Sequence, residues 1–170
     1  RTPMPIGRSA LDVYLDQFDA PEEVRNDPEA FVDFAVTRPF GIRRRDRMEI
    51  RYVGGADFEK RTVHCIAEVP QGGLAWTMTG DAETILTATD DACQEALAAL
   101  GGNDPIGLMM FDCIARRSVL AEDGTDAEVM RMREHAGGAP VAGFYTYGEI
   151  ARTRGAGGFH NQTLVVLALS

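Results

Sequence analysis

The sequence predicts an α+β domain, a mostly antiparallel sheet flanked by helices in a single domain. Three observations predict it. The apolar period changes from helical to alternating after about residue 42. Several short strand-like runs then follow one another with short connections, which favours antiparallel pairing. Between them lies one long amphipathic segment, residues 81–100.

The first 42 residues are helical and turn-rich. Ser9 followed by Asp12 resembles a capping box, and Leu11, Tyr14, Leu15 and Phe18 fall on one helical face. Asp27-Pro28-Glu29 starts a second helix, with a cap, a proline at the first helical position and an acid in the first turn. Phe31, Phe34 and Ala35 continue it at helical spacing. Met48, Ile50 and Tyr52 then alternate with Glu49 and Arg51, as on a half-buried strand, and Val63, Cys65 and Ala67 do the same. Leu74 to Thr79 is a further strand.

In residues 81–100, Ile85, Leu86, Cys93, Ala96, Leu97 and Leu100 form one stripe, capped by Asp81 and stopped by Gly101-Gly102. Ile106 to Phe111 is short enough for an interior strand. Asp126 to His135 is a short helix ended by Gly137 and Gly138. Val141 to Ile150 and Thr163 to Leu169 are the closing strands; the last lacks polar alternation, which places it at the sheet centre, buried on both faces.

The 170 residues carry a net charge of −9. Such a balance repels phosphate backbones and anionic lipid, so neither nucleic acid nor membrane is expected as a partner. Arg43, Arg44, Arg45 and Arg47 are the local exception, expected as a solvated turn before a strand. Arginine outnumbers lysine, of which there is only Lys60, and with the abundant Ala and Gly this suggests bacterial GC-rich coding. No apolar run approaches the roughly 18 residues needed to span a bilayer, and no secretory signal stands at the N-terminus. Three widely spaced cysteines, Cys65, Cys93 and Cys113, fit reduced thiols in a cytoplasmic protein. The chain begins at Arg1, which points to a fragment of something longer.

In a strand, Tyr145, Tyr147 and Glu149 share one face, with Gly143 and Gly148 bracketing them, where glycine permits a bulge or the close approach of a ligand. Aromatic rings beside a carboxylate make a recess for an amine. Arg116 presents a planar fork to a carboxylate or to Glu149, with Arg152 as the other partner for Glu149. Cys113 is either a buried small hydrophobe or a nucleophile with His160 or His64 as base. His160 and Asn161 serve a ligand or hold the loop entering the last strand. Arg152 to Gly158 is a glycine-rich loop without a phosphate-binding pattern, expected as a flap. No cysteine or histidine spacing supports a metal, and no cofactor is expected.

Two segments carry a resemblance. One is Pro140-Val141-Ala142-Gly143-Phe144-Tyr145-Thr146-Tyr147-Gly148-Glu149-Ile150 with the later Phe159-His160-Asn161-Gln162-Thr163; the other is Phe111-Asp112-Cys113-Ile114-Ala115-Arg116-Arg117. Together they resemble the C-terminal half of FIST domains, in outline from about Ala10 to Leu169. The resemblance implies a non-catalytic sensory module of signal transduction that binds a small metabolite, with amino acids as suggested ligands. It carries ligand contacts onto Cys113, Arg116, Tyr145, Tyr147, Glu149, His160 and Asn161. Its implied partners are an N-terminal FIST half, which normally precedes this one and is absent here, or a downstream signalling protein. A protein–protein scaffold and a cysteine-dependent hydrolase are the alternatives.

Overall fold

A computed structural model describes residues 7–44, 47–153 and 156–170. The fold is α+β: among the described residues five helices accompany short sheets, and five of the six strand pairings are antiparallel. Within it the chain divides into two compact units, Arg1–Thr79 and Gly80–Ser170.

In the first unit, α1 (Ala10–Gln17) and α3 (Pro28–Ala35) start where their caps predict; the short α2 (Glu22–Asn26) between them follows Pro21, which makes no side-chain cap, and was not expected. Ser9 accepts the Asp12 N–H and Asp27 accepts the Glu29 N–H. Strand β1 (Phe40–Arg44) lies between β2 (Arg47–Arg51) and β5 (Ala75–Thr77), while β3 (Val53–Asp57) pairs with β4 (Thr62–Cys65). Tyr14 centres the core, its ring 5.0–5.6 Å from those of Phe18, Phe31 and Phe40. Its hydroxyl donates to the Arg38 carbonyl at 2.6 Å, which satisfies the one polar atom of a fully buried side chain. The expected arginine turn is in part strand: Arg43 and Arg44 end β1 and Arg47 opens β2, while Arg45 lies outside the described residues.

In the second unit, α4 (Ala82–Ala98) is capped by Asp81, which accepts the Thr84 N–H. Strand β6 (Gly107–Cys113) runs into α5 (Ile114–Ala136), which ends at Gly137 with φ 60°. The expected helix Asp126 to His135 is therefore only the second half of a longer one. Its start was masked because Cys113 caps it without a side-chain hydrogen bond, and Ala121 breaks it at φ 56°, ψ −164°. Strand β7 (Val141–Thr146) follows, then the hairpin of β8 (Glu149–Thr153) and β9 (Ala156–His160), then β10 (Leu164–Leu169).

The order β10–β6–β7 makes β6 central, parallel to β7 and antiparallel to β10. This corrects the placement of Leu164 to Leu169. It is a border strand of that sheet: Val166 packs inward with Leu108, Met110, Met132 and Cys93, but Leu167 is 48% exposed. The unbroken apolar run reflects two apolar sheet faces, of which only the inner is covered by helices. The expected strand Val141 to Ile150 also divides, bending at Tyr147-Gly148. The expected glycine-rich flap, Arg152 to Gly158, is instead taken up by the β8–β9 hairpin, in which Arg152 pairs with Gly157 and Thr153 with Ala156, and residues 154–155 lie outside the described residues.

Candidate functional site

Strand ends converge on Cys113. The β6–β7 register sets Asp112 opposite Tyr145 and Cys113 opposite Thr146, and the Cys113 N–H donates to the Thr163 carbonyl at 3.1 Å. Cys113 is buried, and its sulfur accepts the backbone N–H groups of Ala115 and Gln162. Burial pushes the thiol up nonetheless, assisted by the nearby Glu149 and Asp112 carboxylates. A reactive cysteine needs the opposite environment, so this sulfur behaves as a small buried hydrophobe.

Beside it stands Glu149, only 2% exposed. The hydroxyls of Thr146 and Thr163 donate to its two carboxylate oxygens, the latter at 2.7 Å. No cation among the described groups meets it. Its cross-strand neighbour in the hairpin register is His160, whose Nε2 is buried without a hydrogen-bond partner. Asn161 is 0% exposed, and neither Oδ1 nor Nδ2 has a partner. An amide with both ends unsatisfied is rare in a folded interior, because each orphaned atom costs about 1–3 kcal/mol. Cys113, Glu149, His160 and Asn161 thus gather in one place.

Arg116 and Tyr145 lie elsewhere, on the helix-covered side of the sheet. Arg116 Nε is 2.7 Å from Asp112 Oδ1, and the same guanidinium pairs with Glu128 and donates to Thr89 Oγ1 at 2.7 Å. Thr89 in turn donates to Glu128 at 2.7 Å. The expected pairing of Arg116 with Glu149, or with a ligand carboxylate, is therefore corrected: its fork is already filled by the two acids. The second expected partner, Arg152, has its side chain outside the described residues. Burial, reinforced by Glu128, lifts Asp112 to about 7 despite the Arg116 charge.

Tyr145 borders a recess of about 220 Å³ shared with Met110, Asp112, Glu128, Val129 and Met132. Tyr147 belongs to neither place. It sits in the bend between β7 and β8, 81% exposed, so Tyr145, Tyr147 and Glu149 do not share the face that an unbroken strand would give them. Gly143 and Gly148 are small for packing reasons rather than for a ligand: a Cβ at the first would strike the Met110 backbone, and at the second the Phe159 ring.

Sequence reasoning missed Thr146 and Thr163 as the donors to Glu149, and Asp112 and Glu128 as the partners of Arg116. Asp112, four residues before Arg116, offered an ion-pair spacing; Glu128 offered none. The opposite sheet face is apolar and open. Phe111 and Phe144 stack edge to face at 5.3 Å, and Phe144, Met109, Leu167 and Leu169 are all exposed. Among the described residues no group of His, Cys, Asp and Glu could hold a metal, and no helix is long and apolar enough to cross a membrane.

With this geometry in place, the family follows: the model of the FIST C domain matches residues 10–152, and the chain belongs to that family, one of sensory signalling domains rather than a known enzyme family. The match includes Cys113, Arg116 and the Gly143–Ile150 segment, while His160 and Asn161 lie beyond it. No curated protein and no solved structure matches the chain.

Proposed function

We propose that this chain is a non-catalytic cytoplasmic sensory domain whose ligand is a small amine-bearing metabolite of amino-acid type, held at Glu149, Asn161 and His160. One observation carries the reading: a buried carboxylate without a described cation stands beside a buried amide with no partner at either end. An ammonium there meets the Glu149 carboxylate. A ligand carboxylate or carbonyl accepts from Asn161 Nδ2, and Asn161 Oδ1 accepts from the amine. Cys113 packs against the ligand as a neutral thiol. A metabolite that binds only the folded state adds about 2.7 kcal/mol at 100 times its dissociation constant. For a chain of this length that raises Tm by about 7 °C. A thermal-shift screen of amino acids should show such a rise, and Glu149→Gln should remove it. Silence across the screen counts against the ligand.

A protein–protein scaffold is the second reading, favoured by the apolar outer sheet face around Phe144 and Leu167. In that case Phe144→Ser, and not Glu149→Gln, weakens capture of a signalling partner such as an N-terminal FIST half.

A further inference from the structure

A separate feature lies on the opposite side of the sheet, between β7 and the part of α5 that follows Ala121. We propose that the recess there is a second binding site, for a small primary alkylammonium ion, with its head group at the Asp112–Glu128 carboxyl pair and its chain along Met110, Val129 and Met132.

Shape is the first reason. The recess holds about 220 Å³, below the roughly 300–1,000 Å³ of drug-sized pockets, so its occupant is a head group with a few carbons. Its walls are mostly hydrocarbon and thioether, which suits an alkyl chain. Charge is the second. Asp112 and Glu128 are both buried and both border the recess, and a single guanidinium, Arg116, lies between them. Asp112 Oδ1 has its ion contact with Arg116 but makes no hydrogen bond. Two carboxylates against one cation leave one excess negative charge in a poorly solvated place.

A proton relieves that excess: burial first, and the neighbouring Glu128 after it, raise Asp112 to about 7. The groups facing it are Arg116 and Glu128 from α5, Tyr145 from β7 and its chain neighbour Cys113; Thr89 and Cys93 of α4 stand beside Glu128. Among the described residues Arg116 is the cation bonded to these carboxyls; Arg117 stands over the Tyr145 ring, 5.4 Å from its centroid, and Arg133 lines the recess at its exposed rim. An ammonium entering the recess takes the place of the shared proton, so binding releases a proton to solvent. An anion placed at Asp112 and Glu128 would meet two carboxyl groups whose one bonded guanidinium is already engaged, and is rejected.

The probe is n-butylammonium, titrated calorimetrically into the intact chain at pH 7 in two buffers of different ionisation enthalpy, with butan-1-ol and butyrate as controls. The expected result is one site, release of roughly half a proton, since a group with a pKa near the pH is half protonated, and no binding of either control. Asp112→Asn should weaken the amine more than tenfold. Should that variant not fold, Val129→Trp decides instead: Val129 is partly exposed on α5, so the larger ring fills the recess without entering the core, and amine binding should be lost with the unfolding midpoint retained. Amine binding that Glu149→Gln abolishes and Asp112→Asn leaves intact would belong to the Glu149 cluster and overturns the proposal. No amine binding, equal binding of butan-1-ol, no proton release, or full binding by Val129→Trp each overturns the proposal.

Discussion

Gly143 lies against Met110 so closely that a Cβ on it would stand 2.4 Å from the Met110 carbonyl oxygen. The two are register partners in the parallel β6–β7 pair, and the obstacle is backbone, which cannot turn aside. Gly143→Ala should therefore cost about 1–3 kcal/mol, as overpacking does. Gly148→Ala should cost less, because its neighbour is the Phe159 ring, partly exposed and able to swing outward. Urea denaturation of the two variants compares them; equal losses would contradict this account of the glycines.

Asn161 gives a prediction of opposite sign. Its two polar atoms are buried without partners, so a hydrocarbon of similar size removes an uncompensated desolvation cost. Asn161→Leu should leave ligand-free stability unchanged or raise it by about 1–3 kcal/mol, while abolishing any ligand-induced rise in Tm. A clear loss of ligand-free stability would mean that the amide is structural.

Acid stability should carry the mark of Asp112. Its pKa is raised to about 7 in the folded chain from an ordinary 3.8, so between these values the folded state binds more protons than the unfolded state. Stability from this group is thus fully present below about pH 4 and declines as pH rises to about 7, a change on the order of a few kcal/mol at most. Asp12, Asp16, Asp57, Asp81 and Asp90, whose pKa values are lowered, act the other way and only in more acid solution. The stability difference between the native chain and Asp112→Asn, measured at pH 5 and at pH 8, should isolate the effect. A pH-independent difference would refute it.

Thiol labelling tests the chemistry denied to Cys113. Burial raises the pKa of all three thiols, Cys65 and Cys93 to about 11 and Cys113 upward as well. Native protein at pH 7.5 should react with iodoacetamide far more slowly than the urea-unfolded chain does. Rapid alkylation of native Cys113, read by peptide mass, would revive the hydrolase reading.

What the sequence disclosed were features written locally. Ser9, Asp27, Asp81 and Gly137 announce helix ends because a cap acts within one turn. Of the seven residues that the motifs singled out, Cys113, Glu149, His160 and Asn161 are neighbours in the fold, but the hydroxyls that hold Glu149 were not legible, since Thr146 and Thr163 become neighbours only when β7, β8 and β10 end at one place. Strand β1 was passed over because its alternation amounts to Phe40 and Ile42 alone. The Arg116–Glu128 pair was invisible for a geometric reason. On a straight helix, residues 12 apart are separated by about 18 Å, and only the break at Ala121 lets these two meet.

The parallel pairing of β6 with β7 bears on when the site comes into being. Hairpins such as β3–β4 and β8–β9 close over a few residues, but β6 reaches β7 only after residues 114–140 have crossed over as α5, and it reaches β10 across half of the second unit. Loop closure of that length is entropically slow and is completed late in folding. The polar cluster at Cys113 and Glu149 needs all of these strand ends in register, so the folding transition state lacks it. A metabolite bound there will prolong the lifetime of the finished molecule by slowing its unfolding, while leaving the rate at which new chains fold almost untouched.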